Sequence, residues 1–422
     1  MDKLYWWMCA AVLLAGCGSA SGAGGAGGQG LPRVLDPVEG DPAFAVLSTD
    51  FTSSAISLLD QDGELLADEW LTSGSAWPTL VAALSGDVAL PTRQMGDGSI
   101  VVIDRFNTDV VSRFDMATGS LFGQVRTQGT SSVAAFSSNP HDCVFVNDSS
   151  AWVSRYEPSF EDAPEPDVAG TDLLEIDPTA MTLTGNRVDF SSFNEEIDGV
   201  TAYARPDRIV QLGDFLLVGL DGLSADFTTA LPGKVAVVEI ATGDATDFPL
   251  PGVKACGMVV PAPGVDNRAF ISCRGVSSTF DPVEQRMTAG LFLVEIGRDG
   301  VASIVRSWLP SSDPGAANSV GNIVPLNDRE MIAVANGDFA TTTDEAYLLN
   351  VETGAQTLLF GIPGSFEIGE GAYDPDSELL LIPVSTEGVR LYGGEGSTFE
   401  LIDTVEVSQS AGLGAIAVSS LR

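Results

Sequence analysis

ISLLDQDGEL at 56–65, VSRFDMATG at 111–119, LLEIDPTAM at 173–181, VAVVEIATG at 235–243, FLVEIGRDG at 292–300 and YLLNVETG at 347–354 carry one phrase: a short β-rich run, an acid or Asn, then a turn. VRLYGGEG at 389–396 is a degenerate seventh. The acid or Asn falls at Asp60, Asp115, Asp177, Glu239, Glu295 and Asn350, in steps of 55, 62, 62, 56 and 55. Spacing this regular over most of a chain marks a repeat architecture. Val, Ile and Leu suit a pleated strand, and Gly or Asp suits the tight turn after it.

Each phrase has companions. Ahead of it stands a second strand: AFAVLS at 43–48, SIVVID at 99–104, CVFVND at 143–148, FLLVGL at 215–220, AFISCR at 269–274, EMIAVA at 330–335 and LLLIPV at 379–384. After it comes another, as in SLFGQVR at 120–126 and FELIDTVEV at 399–407. A fourth type precedes the pair, as in VAAFSSNP at 133–140 and GAYDPDSE at 371–378. Four antiparallel strands per ~55 residues, repeated seven times without a convincing helix, predict an all-β, seven-bladed β-propeller over 43–422. The poorly patterned region 66–98 leaves six or eight blades open. The first blade lacks its innermost strand, and the chain ends in GAIAVSS at 414–420 with no partner after it. The C-terminal strand is therefore expected to complete the N-terminal blade, which removes exposed edges.

Asp374-Pro375-Asp376-Ser377 and Ala117-Thr118-Gly119 resemble the turns of YVTN-type repeats. That resemblance implies the same propeller over about 43–420 and says little of function.

The N-terminus is an address. Residues 4–14 form an apolar run behind Lys3, too short for the ~20 residues of a membrane span, and read as the core of a secretory signal. The run ends in Leu14-Ala15-Gly16-Cys17, which resembles the lipobox of bacterial lipoproteins. The resemblance implies cleavage after residue 16, a thioether-linked diacylglyceryl group on Cys17, and a further acyl chain, palmitate-like, on its amine. Two or more chains anchor firmly. Gly18 in place of Asp implies the outer membrane by the enteric rule. Residues 17–42 then form a lipidated tether, with the Gly/Ser/Ala run at 18–30 a flexible coil. The GxGxxG match at 22–27 has no strand before it and no helix after it, so it is set aside.

Composition closes other routes. Asp and Glu number 58 against 20 Lys and Arg, a formal charge of −38. Such a surface repels nucleic acid and anionic lipid. With one histidine, His141, a multi-histidine metal centre is impossible.

Cys256 and Cys273 flank the turn PAPGVDN, and a symmetric hairpin places them face to face. In the oxidising exported compartment this predicts a disulfide; the alternative is two buried thiols. Cys143 is left over in CVFVND.

Long loops between second and third strands are expected at about 149–171, 221–233, 275–288 and 337–345, forming a wall on one side of one rim. This is the expected recognition surface for a protein or small-ligand partner. Glu157, Glu161, Asp162, Glu165, Asp167 and Asp172 cluster there but lack calcium-loop spacing, and read as a solvated loop. The repeated acids read as turn caps. His141, in Asn139-Pro140-His141-Asp142, reads as an exposed turn residue. No catalytic, cofactor or metal residue is assigned.

The expectation is a membrane-anchored lipoprotein of the cell envelope, acting by binding or scaffolding. The rival is a metal-dependent propeller hydrolase of lactonase type; a quinone-cofactor dehydrogenase is disfavoured because the tryptophans do not follow the repeat. Asp, Glu, Asn or His converging on the channel from non-equivalent blade positions would favour the enzyme.

Overall fold

Each repeated phrase is the third strand of a four-stranded antiparallel sheet, and seven such sheets follow one another around a ring in the computed structural model. The structure describes residues 35–75, 80–128, 137–160, 164, 168–277, 282–310, 320–335, 343–364, 366–394 and 398–422. Numbering blades along the chain, the third strands are Ser54–Leu59, Val110–Asp115, Asp172–Asp177, Lys234–Glu239, Gly290–Ile296, Thr343–Asn350 and Gly388–Gly393.

The burial of these strands explains why they were legible. The second and third strands of blade 1, Phe44–Thr49 and Ser54–Leu59, are buried at every position. Both faces of such a strand lie against neighbouring blades, so it reads as a continuous apolar run. Outer strands are half-solvated; Thr182–Asp189 of blade 3 is exposed at most positions. The core consists of seven apolar clusters among the described residues, one for each junction of adjacent blades. Val101, Val111 and Val125 of blade 2 meet Cys143, Val153 and Ile176 of blade 3. Phe44, Val46 and Leu59 of blade 1 meet Leu379, Leu381 and Leu391 of blade 7.

The ring closes as expected. Gly414–Ser420 is the innermost strand of blade 1 and pairs antiparallel with Phe44–Thr49, Phe44 opposite Ser420 and Thr49 opposite Gly414. The Leu421 amide donates to the Ala43 carbonyl at 2.8 Å.

Blade 3 differs from the expectation. CVFVND belongs to its innermost strand, Pro140–Asn147, and the second strand is Ser150–Arg155. The long loop therefore begins at 156. The first half of the expected inner strand VAAFSSNP, 133–136, lies outside the described residues, and its last residue, Pro140, begins the inner strand. The cause is physical: this inner strand is buried against blades 2 and 4, so it carries the apolar signature of a second strand.

The repeated acids cap their turns. Asp60 accepts the amides of Asp62 and Glu64, Asp115 those of Ala117 and Thr118, Asp177 those of Thr179 and Ala180, and Asn350 those of Glu352 and Thr353. Glu239 accepts the Thr242 hydroxyl. Glu295 departs from the pattern and pairs with Arg268.

Cys17 and the segment expected to be a signal lie outside the described residues. Of the segment assigned to the tether, residues 35–42 are described and follow the outer edge of blades 1 and 2. Leu35 is buried with Trp70 and Met116, and the Trp70 indole donates to the Asp36 carbonyl at 2.9 Å. Gly119 permits this close approach: its φ is +67°, and a Cβ there would fall 2.0 Å from the Leu35 carbonyl oxygen.

Candidate functional site at the channel mouth

Antiparallel pairing puts the start of each inner strand beside the end of the second strand. Pro140 lies opposite Arg155, and Pro206 opposite Leu220. The first residues of the inner strands therefore share one face with the second-to-third-strand loops. On blades 3, 4 and 5 those loops are long, and they carry Tyr156, Asp221 and Arg274 to the starts of strands Pro140–Asn147 and Pro206–Leu212.

There the only histidine of the chain meets an aspartate. His141 Nδ1 lies 2.8 Å from Asp207 Oδ1, and its ring stacks on Tyr156 at 4.1 Å between centroids and 7° between planes. The exposed-turn reading of His141 is thus corrected: it stands on the innermost strand of blade 3, with 16% of its side chain exposed. Among the described residues its Nε2 has no hydrogen-bond partner. Burial opposes charge on Asp207, but the His141 ring, Arg208 and Arg274 more than offset it and hold the carboxyl well below the usual range. An Nδ1–H donated to Asp207 leaves Nε2 as the accepting nitrogen of the ring.

A second layer supports this pair. Asp221 accepts the Tyr156 hydroxyl at 2.9 Å and pairs with Arg274. Burial pushes the Asp221 carboxyl up, with Asp207 adding to the effect and Arg274 opposing it. Arg205, fully buried, pairs with Glu157 at 2.7 Å and lies between the Tyr156 and Phe227 rings, tying the loops of blades 3 and 4 together.

Towards the axis, Arg208 reaches across the channel. It donates to the Leu90 carbonyl of blade 2 at 3.1 Å and to Glu370, just before the inner strand of blade 7, at 2.6 Å. Burial works against its charge; the carboxylates of Glu370, Asp142 and Asp207 outweigh that and raise its pKa. Asp142 straps three blades, accepting the Ile209 amide at 2.8 Å and the Thr92 amide and hydroxyl at 2.9 and 2.7 Å. About 70 Å³ of space remains beside Arg208 and Glu370, walled by Leu90, Met258, Val260 and Ile323.

Cys256 and Cys273 meet with sulfurs 2.08 Å apart, disulfide distance, while Cys143 is a buried free thiol. Their hairpin is not the symmetric one expected. Met258 pairs with Ser272, one residue out of that register, and the chain bends at Ala255 (φ +54°) before the two cysteines come together.

The expected loop wall and the site coincide on blades 3, 4 and 5. Most of the blade 6 loop, 336–342, and Glu161, Asp162, Glu165 and Asp167 lie outside the described residues. Glu157 and Asp172 are engaged by arginines. Among the described residues no three of His, Cys, Asp and Glu are grouped to hold a metal. The sequence reading missed Tyr156, Asp207, Arg208, Asp221, Arg274 and Glu370. Tyr156, Asp221 and Arg274 stand at matching places, directly after the second strand of successive blades, but their residue types make no single repeated phrase that a sequence reading would single out.

No protein-family model matches the chain, and no curated protein matches it in sequence. Solved structures match it in fold. The periplasmic gluconolactonase PpgL of Pseudomonas aeruginosa superposes with TM-score 0.57 at 13% identity, over 90% of this chain and 99% of that one. Two putative 6-phosphogluconolactonases do so as well: that of Bacteroides fragilis NCTC 9343 at TM-score 0.55 and 11% identity, covering 91% and 99%, and that of Bacteroides uniformis ATCC 8492 at 0.56 and 12%, covering 90% and 99%. At these identities the likeness is one of architecture: the chain is a seven-bladed β-propeller.

Proposed function

We propose that this chain is a lipid-anchored propeller of the cell envelope that hydrolyses a small lactone or ester at the mouth walled by blades 3, 4 and 5. One observation carries the reading: the His141–Asp207 pair, oriented by a carboxylate, stacked on Tyr156 and left with Nε2 unpartnered among the described residues. His141 accepts a proton at Nε2 from water as its oxygen adds to the carbonyl carbon. The ring C–O bond then breaks, and the same proton passes to the leaving alkoxide, giving a hydroxy acid. General-base help of this kind contributes ~10²–10⁴-fold. The Arg274 guanidinium supplies positive charge for the developing oxyanion. The neighbours named as gluconolactonases support the substrate class, and the site needs no metal for this step.

The test is turnover of a panel of γ- and δ-lactones and aryl esters by the purified chain, with His141→Asn and Asp207→Asn alongside. Both variants are expected to lose ~10²-fold or more in kcat/KM. No turnover by the wild type, or an active H141N, sinks the proposal.

A second reading, a protein partner at the same rim, is favoured by Phe160, Val283 and Met287, which expose 56%, 68% and 56% of their surface beside the site. A pull-down of the lipidated protein from detergent-solubilised envelope tests it; recovery of one stoichiometric complex supports it, and recovery of the chain alone counts against it.

A further inference from the structure

We propose that the Cys256–Cys273 bridge is the positioning element of the channel-mouth site: it sets where Asp207, Arg208, Asp221 and Arg274 stand. The inference rests on the reading of that mouth as the functional site, and it goes beyond that reading by assigning the site's geometry to a covalent link.

The link joins two pieces of backbone that each lead straight into the site. Cys273 immediately precedes Arg274. Cys256 immediately precedes Gly257, whose carbonyl accepts the Arg208 amide at 3.1 Å. The Cys256 amide donates to the Leu220 carbonyl at 3.1 Å, one residue before Asp221, and the Arg274 amide donates to the Ala255 carbonyl at 2.9 Å. Arg208 and Arg274 are thus bonded directly to backbone that the bridge joins, and Asp207 and Asp221 are chain neighbours of residues bonded to it.

This matters because scattered backbone bonds, such as Gly233 N–H to the Val253 carbonyl at 2.7 Å and Lys254 N–H to the Thr288 carbonyl at 2.9 Å, hold the segment in place of a ladder, and the bridge is the covalent link among them. Residues 253–257 fall between the outer strand of blade 4, Ala245–Pro249, and the inner strand of blade 5, Met258–Pro261. They join no regular ladder; the contact of Cys256 with Leu220 is an isolated bridge. Both sulfurs are buried among Val253, Val259, Ile271 and Phe292.

Gly257 shows how tight the arrangement is. A Cβ built there would lie 2.5 Å from Asp207 Oδ2 and 2.6 Å from Asp221 Oδ1. The backbone at 257 is therefore the floor on which two carboxylates rest, one oriented on His141 and the other on Arg274 and Tyr156. A displacement of this floor moves both at once, and misplacement by ~1 Å is enough to cost ~10²-fold in rate.

The test uses the single imidazole of the chain as a reporter. The C256S/C273S double variant, C143S as the control thiol, and G257A are compared with wild type. At one pH, the 1H–13C spectrum of His141 is expected to shift in the double variant and in G257A and to stay put in C143S. Lactone turnover is expected to fall ~10²-fold in kcat with cooperative unfolding retained. An unchanged His141 spectrum in a folded double variant overturns the inference. Because that readout needs no substrate, it stays decisive if the hydrolase proposal itself fails. If the double variant does not fold, phosphine reduction of the folded wild type decides it: an unchanged imidazole spectrum in the reduced, still folded chain also overturns it.

Discussion

Removing residues 412–422 should dismantle the ring rather than trim a tail. The deleted strand Gly414–Ser420 is the innermost strand of blade 1, with Val418 buried in the seam between blades 1 and 7 and Leu421 in the seam between blades 1 and 2. It also bonds to blade 7's approach: the Val418 amide donates to the Glu370 carbonyl at 2.7 Å, and the Glu370 amide to the Ile416 carbonyl at 2.9 Å. Truncating one buried leucine to alanine costs ~2–5 kcal/mol, so Leu421→Ala alone should show a clear loss. The deletion takes Leu421, Val418 and Leu413 together with the pairing to Phe44–Thr49. Against a total stability of ~5–15 kcal/mol, that is half the margin or more, and a new edge strand is left open to association. The assay is urea unfolding followed by tryptophan fluorescence, with light scattering for association. Leu421→Ala should lower the midpoint, and the truncation should unfold or aggregate at low urea. A truncated chain with the wild-type midpoint would refute closure by the C-terminal strand.

Other outcomes follow from the same structure. Asp172→Asn should cost ~3–5 kcal/mol, because it strips a carboxylate from the fully buried Arg155, which it now holds at 2.6 Å; equilibrium unfolding reads this directly. The Asp104 carboxyl is pushed up to about 6 by burial, against the opposing hydrogen bonds of Ser85. Its proton is held by the native state after the unfolded chain has released it, so its contribution to stability declines as pH rises from ~4 to ~6, by ~3 kcal/mol in all. Unfolding midpoints across that range should fall less steeply in Asp104→Asn. Gly119→Ala should release Leu35 from its seat, seen as faster proteolysis ahead of residue 43 with blade packing retained. Alkylation of the denatured, unreduced chain 35–422 should label Cys143 alone; three labelled thiols would exclude the bridge. Metabolic labelling with palmitate should mark the full chain in a bacterial host and fail in Cys17→Ala; an unlabelled wild type would remove the anchor.

How far the sequence could be read depended on how symmetric the feature was. The blades were legible because each third strand is buried on both faces and must end in a turn, so Asp60, Asp115, Asp177 and Asn350 repeat the same local solution. Blade 3 was misplaced by one strand for the same reason: Val144 and Cys143 are apolar because they lie in seams between blades, whichever strand of the sheet carries them. That slip put His141 in a turn. The cysteine pair was foreseen from spacing, although the route to contact runs through a bend at Ala255 that spacing does not encode.

The amino-acid sequence by itself left the blade count open and misplaced one strand of blade 3, but it determined the repeating four-stranded unit, the closure of the ring by its own C-terminus, and the side of the rim where long loops gather. These follow from local periodicity and turn chemistry, which each repeat carries within its own ~55 residues. Only the tertiary structure decided the site. His141 and Asp207 are 66 residues apart in the chain, and Arg208 and Glu370 are 162 apart. Each departs from the repeat, so nothing local announces it. What brings them within hydrogen-bond reach is the circular packing of whole blades, which converts distant inner-strand starts into neighbours around one axis.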